Sequence, residues 1–163
     1  MTATSPFALT QRAFAGAAAG GLLAGAADIL YACGMAAAAG RSPMRILQSV
    51  GSGLIGSAAF QGGLSTALLG LLCHFVITLG AALVYLLAYA RVPWLRAHFV
   101  LGAVGFGVAV YAVMHGLVLP LSAIPFKMVY SLSSLAQGLA VHVLLVGFPI
   151  ALCVRRLSFP QQK

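Results

Sequence analysis

The sequence predicts an all-α membrane protein, an antiparallel bundle of four transmembrane helices with one interfacial amphipathic helix between the first two spans. The composition indicates this class first. Of the 163 residues, 62% are hydrophobic and only 6% are charged, with a mean hydropathy of +1.07. A soluble domain carries roughly 25% charged residues. This chain therefore has too few charges to cover a globule in water.

Four apolar stretches are each long enough to cross a bilayer, because a hydrocarbon core of about 30 Å takes about 20 helical residues. These stretches are apolar on every face, unlike the alternating strands of a membrane β-barrel. Little sequence lies outside them, so we expect a single membrane domain over residues 1–163. The predicted spans are residues 13–39, 64–90, 99–126 and 132–154.

The basic residues predict the orientation and the lipid partner. With the N-terminus in the cytoplasm, six of them lie inside and three outside, so the positive-inside rule places both termini in the cytoplasm. Because they lie between apolar runs, we expect them to contact anionic lipids of the bilayer and no nucleic acid. The inner set is Arg12, Arg91, Arg96, Arg155, Arg156 and Lys163, and the outer set is Arg41, Arg45 and Lys127.

The amphipathic helix is predicted over residues 43–60. Ser42 is a suitable N-cap and Pro43 a suitable first residue. Apolar residues then recur at three- and four-residue spacing with polar residues between them, which is typical of a helix lying on a membrane surface. Glycines in the same stretch leave a re-entrant half-helix as an alternative. The apolar residues are Ile46, Leu47, Val50, Leu54 and Ile55, the polar ones Arg45, Gln48, Ser49 and Ser52, and the glycines Gly51, Gly53 and Gly56.

Two glycine pairs in the first span predict close helix packing. Gly16 and Gly20 are four residues apart, as are Gly21 and Gly25, and such spacing lets helix backbones approach each other. The partner helix belongs either to this bundle or to another chain. A homodimer or a larger membrane complex is therefore among the expected assemblies.

Each predicted span contains one ionisable residue: Asp28, His74, His115 and His142. Such residues are rare in spans, since an Asp at mid-membrane costs about 2.5 to 3.5 kcal/mol even on lenient insertion scales. Counted from the outer ends of the spans, the four lie 10 or 11 residues in, at one depth of roughly 15 Å. We expect them to face a shared point inside the bundle.

Three imidazoles and one carboxylate suit several functions. They are candidate ligands for zinc, iron or copper in a bundle core, and two histidines could hold a haem iron, although no Cys-x-x-Cys-His attachment motif exists. They could equally relay protons or cations in transport or sensing. Alternatively, each His makes only an interhelical hydrogen bond, and the protein is a non-catalytic accessory or assembly subunit. With a single carboxylate in the chain, we expect no enzyme activity.

Other residues of the spans have simpler interpretations. Tyr31 is expected to be an aromatic anchor at the membrane interface. Cys73 and Met114 are expected to point away from the neighbouring histidines, into core packing. Pro120 and Pro149 are expected to kink their helices.

The last 90 residues resemble the YagU family of bacterial inner-membrane proteins. The likeness is carried by His74 with Tyr85, the turn Arg91-Val92-Pro93-Trp94, His115 with Pro120-Leu121, and the stretch from Gly138 to His142 that runs on to Arg155-Arg156. The resemblance implies a small multipass protein without an established enzyme activity. It also implies a proton-related role, in which membrane histidines would be natural sensors.

Overall fold

The computed structural model describes residues 9–127 and 131–159, which form six α-helices and contain no strand. Four of the helices are long and apolar enough to cross a membrane. The all-α class and the four-helix multipass architecture are thereby confirmed. The helices are α1 (Gln11–Ala38), α2 (Pro43–Ile55), α3 (Gly63–Arg91), α4 (Pro93–Ala97), α5 (Phe99–Leu121) and α6 (Leu132–Ser158).

The bundle has two distinct ends. The end that carries α2 and the connection between α5 and α6 is called the capped end here. The opposite end, called the termini end, carries the start of α1, the short helix α4 and the last turn of α6. There the Ser158 hydroxyl donates a hydrogen bond of 2.7 Å to the carbonyl of Ala13, which fixes α6 to the beginning of α1.

Helix α1 occupies the centre of the bundle, with α3 on one side and α6 on the other, and α5 packs on α6. The two glycine pairs of α1 face different neighbours. A Cβ added to Gly16 or Gly20 would contact α6, and one added to Gly21 or Gly25 would contact α3. Both glycine faces are therefore used inside the bundle, and neither points to a second copy of the chain.

Helix α2 begins at Pro43, as predicted, although the side chain of Ser42 makes no capping hydrogen bond. It ends where Gly56 adopts a φ of 64°, a conformation open to glycine because it has no Cβ. One 3₁₀ turn follows over Gly56–Phe60. The amphipathic segment thus consists of two short helices with a glycine break between them.

The orientation of α2 differs from the one expected of a helix lying on a membrane surface. Gln48 is only 3% exposed, whereas Leu54 is 64% exposed. The polar face therefore lies against α3, where the Gln48 amide donates to the Gly63 carbonyl at 3.0 Å. Gly51 and Gly70 bring the two backbones close together. A buried polar face is favoured here because its hydrogen bonds are made within the protein.

Two spans end several residues away from their predicted ends. Helix α5 ends at Leu121 because Ser122 is extended, and the next amide, that of Ala123, donates to the carbonyl of Gly53 in α2 at 2.8 Å. Helix α6 continues to Ser158, four residues beyond the predicted end. In both cases a contact with another segment decides where the helix stops.

Candidate cation site

A cavity of about 670 Å³ lies between α3 and α5 on the side of the capped end. Nearer the termini end, the same two helices are held together by the rings of Tyr85 and Phe106, whose centroids are 4.8 Å apart. Towards the capped end the helices diverge, since α3 packs on α1 and α2 while α5 packs on α6. The space between them is the cavity.

All four predicted site residues, Asp28, His74, His115 and His142, line this cavity. Each comes from a different spanning helix. Nε2 of His74 lies 4.0 Å from Oδ2 of Asp28, and the ring centroids of His115 and His142 are 6.2 Å apart. His142 interacts electrostatically with the other three. The structure thus brings together the four residues that the sequence places at one depth.

Backbone carbonyls fix the orientation of two imidazoles. Nδ1 of His115 lies 3.0 Å from the carbonyl of Tyr111, and Nδ1 of His142 lies 2.9 Å from the carbonyl of Gly138. A carbonyl oxygen only accepts, so each Nδ1 carries the hydrogen. In the neutral ring the lone pair then lies on Nε2. Both rings consequently offer Nε2 as the basic atom.

His74 has the opposite arrangement. Its Nε2 lies 2.9 Å from the carbonyl of Gly25 in α1 and must donate to it, which leaves the lone pair of the neutral ring on Nδ1. The bond joins α3 to α1 and holds the ring beside the Asp28 carboxylate. With His74 protonated, its contact with the Asp28 carboxylate would be an ion pair.

Both α5 and α6 loosen into π-helical turns at the cavity. The segments are Met114–Val118 and His142–Gly147, and each includes one of the cavity histidines. Pro120 and Pro149 follow within a few residues and, having no amide hydrogen, interrupt the regular hydrogen bonding. Single π turns in α-helices are frequent at functional sites. Each π turn thus lies beside a proline and includes a cavity histidine, and the kinks expected at Pro120 and Pro149 stay predictions.

Sequence reasoning missed three residues that also line the cavity: Cys73, Met114 and Thr78. Cys73 and Met114 were expected in core packing because adjacent residues of a helix point in different directions. The cavity contacts more than one face of α3 and of α5. Cys73 and Met114, each of which directly precedes a histidine, therefore also line it. For Thr78, the position one turn after His74 is the signal that could have found it.

Two tyrosines support the site from outside the cavity. The ring of Tyr111 lies against His115 at a tilt of 31°, with centroids 4.0 Å apart, and lies edge-on to His142 at 5.2 Å. Tyr31 was expected to be an aromatic anchor at the membrane interface. In the structure its hydroxyl also accepts a hydrogen bond of 2.7 Å from the amide of Gln137. That bond joins α1 to α6 on the side of the capped end.

The charge of the cavity lining is one-sided. Among the described residues that line it, Asp28 is the single carboxylate and there is no Lys or Arg. The remaining lining is mostly apolar, with hydroxyl groups of Ser49 and Ser122 close to the capped end. A carboxylate and imidazole lone pairs in apolar surroundings favour a positively charged occupant.

The predicted metal centre is not assembled in the described part of the chain. Within residues 9–127 and 131–159, no three His, Cys, Asp or Glu side chains meet in an arrangement that could hold a metal ion. A zinc ion would need nitrogen ligands at about 2.0 to 2.1 Å. The transition-metal site and the haem site therefore stay predictions.

Comparisons of the chain with protein-family models, curated proteins and solved structures find no match. The resemblance to the YagU family likewise stays a prediction. The cavity and the residues around it are the basis of the function proposed below.

Proposed function

We propose that this chain is a small multipass membrane protein whose residues Asp28, His74, His115 and His142 form an intramembrane cation site that takes up and relays protons. The observation that carries the proposal is the convergence of all four side chains on one cavity. Intramembrane Asp and His residues commonly mark proton and ion pathways. The site would serve transport or sensing, without catalysis.

The chemistry of the side chains supports protons as the cation. With His115 and His142 both bonded through Nδ1 to a backbone carbonyl, neutral rings have their basic nitrogen at Nε2. The ring centroids of His115 and His142 are 6.2 Å apart, and His74 lies beside the carboxylate of Asp28. A proton could pass between such groups directly or through a water molecule. A transition metal has less support, because no three of these side chains lie close enough together in the described residues to hold a metal ion.

The shape of the bundle supports access from one side. The cavity extends towards the capped end, where Ser49 and Ser122 line it. Towards the termini end, Tyr85, Leu86 and Ile150 are fully buried and fill the interior. A cavity that extends towards one end of the bundle and is closed off from the other fits a sensor or one state of a transporter better than a continuous channel.

We place the termini end in the cytoplasm of a bacterial inner membrane, with anionic lipids around it. The helix order brings five of the described basic residues to the termini end and three to the capped end, which agrees with the positive-inside rule. The cavity would then face the outer leaflet. The termini-end residues are Arg12, Arg91, Arg96, Arg155 and Arg156.

Proton uptake by proteoliposomes under an imposed membrane potential tests the proposal. Wild-type protein should take up protons, and His115→Ala should reduce the rate to that of empty liposomes. His98→Ala is the matched control, since His98 lies in the exposed turn between α4 and α5 and contacts Trp94. Uptake by His115→Ala at the wild-type rate would contradict a proton role for the cluster.

A further inference from the structure

We infer that the cavity binds a lipophilic organic cation, an aromatic or alkyl body with one positive charge, which enters from the bilayer between α3 and α5. The inference rests on the proposed cation site and names a second class of ligand for it. Three features of the cavity carry it: its size, its opening and its charge.

The cavity is much larger than proton transfer requires. Its volume of about 670 Å³ lies within the range of about 300 to 1,000 Å³ that is usual for small-molecule sites. The lining is predominantly apolar, with ionisable groups at Asp28 and the three histidines and hydroxyl groups at Ser49, Thr78 and Ser122. Such a distribution matches a molecule that is apolar over most of its surface and polar at one point.

The entrance lies on the lipid-facing surface of the bundle. Leu72 and Val76 of α3 both line the cavity, yet they are 62% and 61% exposed. Both side chains therefore lie at the mouth of the cavity, on a spanning helix that would be surrounded by the acyl chains of the bilayer. A ligand dissolved in the hydrocarbon region could therefore reach the site sideways, without crossing water.

The charge selects among lipid-soluble ligands. Asp28 is the one acid of the whole chain, and no Lys or Arg lies among the described lining residues. An anionic or zwitterionic lipid would bring a phosphate to this carboxylate, which is unfavourable in apolar surroundings. Moreover, Asp28 is ten residues from the end of α1 at Ala38, about 15 Å along the helix, whereas phospholipid headgroups stay at the interface.

Equilibrium dialysis of radiolabelled tetraphenylphosphonium against the full chain in lipid nanodiscs tests the inference. Wild-type discs should retain more of this cation than empty discs do. Asp28→Asn should weaken binding about tenfold or more, because the charged partner is removed in surroundings of low polarity. Asp28→Glu keeps the charge and should keep binding. Equal binding by wild type and Asp28→Asn would overturn the inference.

The anion tetraphenylborate is the control for shape, since it has nearly the same size as the probe and the opposite charge. It should show no binding beyond empty discs. Equal retention of both ions would show an apolar cavity without charge selection and would also overturn the inference. Thermal unfolding of Asp28→Asn in detergent establishes that the variant is folded, and Asp28→Glu decides the case if it is not.

The entrance has its own matched pair of variants. Leu72→Trp places a large ring at the mouth of the cavity and should reduce tetraphenylphosphonium binding. Leu68→Trp makes the same change one turn away on α3, at a residue that is also exposed and does not line the cavity. An equal effect of both variants would contradict entry between α3 and α5.

Failure of this inference and failure of the proposed function are distinguishable. Dialysis is carried out without a proton gradient, and proton uptake is measured without the organic cation. Proton uptake that depends on His115 without tetraphenylphosphonium binding removes the lipophilic ligand alone. Binding that depends on Asp28 without proton uptake removes the proton relay and keeps the organic cation as ligand.

Discussion

The two halves of the bundle are built from the same four spanning helices and are packed in different ways. In the half near the termini end, Tyr85, Leu86, Ile150 and Val154 are fully buried. In the half near the capped end, a cavity of about 670 Å³ separates α3 from α5. Large side chains are present in both halves, so residue size alone does not explain the difference.

The difference arises because the two walls of the cavity, α3 and α5, pack on different helices. Helix α3 is held close to α1 by Gly21 and Gly25, and α5 is held close to α6 by Gly107 and Gly147. Aromatic rings join α3 to α5 near the termini end. Towards the other end these two helices are held on different neighbours, so a cleft opens between them, and in this cleft a polar cluster can reach a ligand.

The largest expected effect follows from breaking one of the two helix pairs. A Cβ on Gly147 would contact the Ala103 carbonyl and the backbone of Gly107, so Gly147→Leu should lower the free energy of unfolding by about 3 kcal/mol or more. Gly105→Leu is the control, because nothing lies within 4 Å of a Cβ there. Thermal unfolding in detergent compares the two. Similar melting temperatures for both variants would contradict close packing of α5 on α6.

The next effect compares the same substitution in both halves of one helix. Leu86→Ala removes a fully buried side chain and should cost about 2 kcal/mol or more. Leu72→Ala, at the exposed mouth of the cavity, should change stability by less than about 0.5 kcal/mol. Chemical unfolding of both variants in the same detergent is the measurement. Equal losses would mean that the two halves are equally packed.

A smaller effect concerns the attachment of α2 at the capped end. Gln48→Ala removes the hydrogen bond to the Gly63 carbonyl and the packing of a buried side chain against α3, which should cost about 1 to 2 kcal/mol. Gln61→Ala changes the same type of residue at an exposed position and should have little effect. If Gln48→Ala unfolds like the wild type, α2 does not bury its polar face against α3.

The smallest effects are opposite in sign for two tyrosines. The buried Tyr85 hydroxyl has no hydrogen-bond partner in the described part of the chain, so Tyr85→Phe should stabilise the protein by about 1 kcal/mol. Tyr31→Phe removes the bond from Gln137 and should destabilise it by about 0.6 kcal/mol. Melting temperatures of the two variants that both rise or both fall would contradict an unpaired Tyr85 hydroxyl together with a hydrogen-bonded Tyr31 hydroxyl.

Much of the fold could be predicted because hydropathy is a property of each residue and adds along the chain. The four spans follow from it directly, and the start of α2 follows from Pro43, a suitable first residue of a helix. The direction in which α2 faces could not be predicted in this way. The burial of Gln48 depends on the carbonyl of Gly63 beside it, a contact between segments that no local pattern contains.

The site residues could be predicted because ionisable groups stand out in apolar spans. Asp28 and the three histidines were found by type and depth alone. The cavity could not be predicted, since it depends on the divergence of α3 and α5. For the same reason, Cys73 and Met114 were expected in the core and instead line the cavity.

Thiol labelling tests most directly whether the titratable residues share an accessible cavity. With Cys33, Cys73 and Cys153 replaced by Ser, His142→Cys and Ile150→Cys place one thiol in each half of α6. A cationic methanethiosulfonate reagent should modify the thiol at position 142 in nanodiscs and leave the one at position 150 unmodified. Modification of both at the same rate, or of position 150 alone, would contradict the open and closed halves of the bundle.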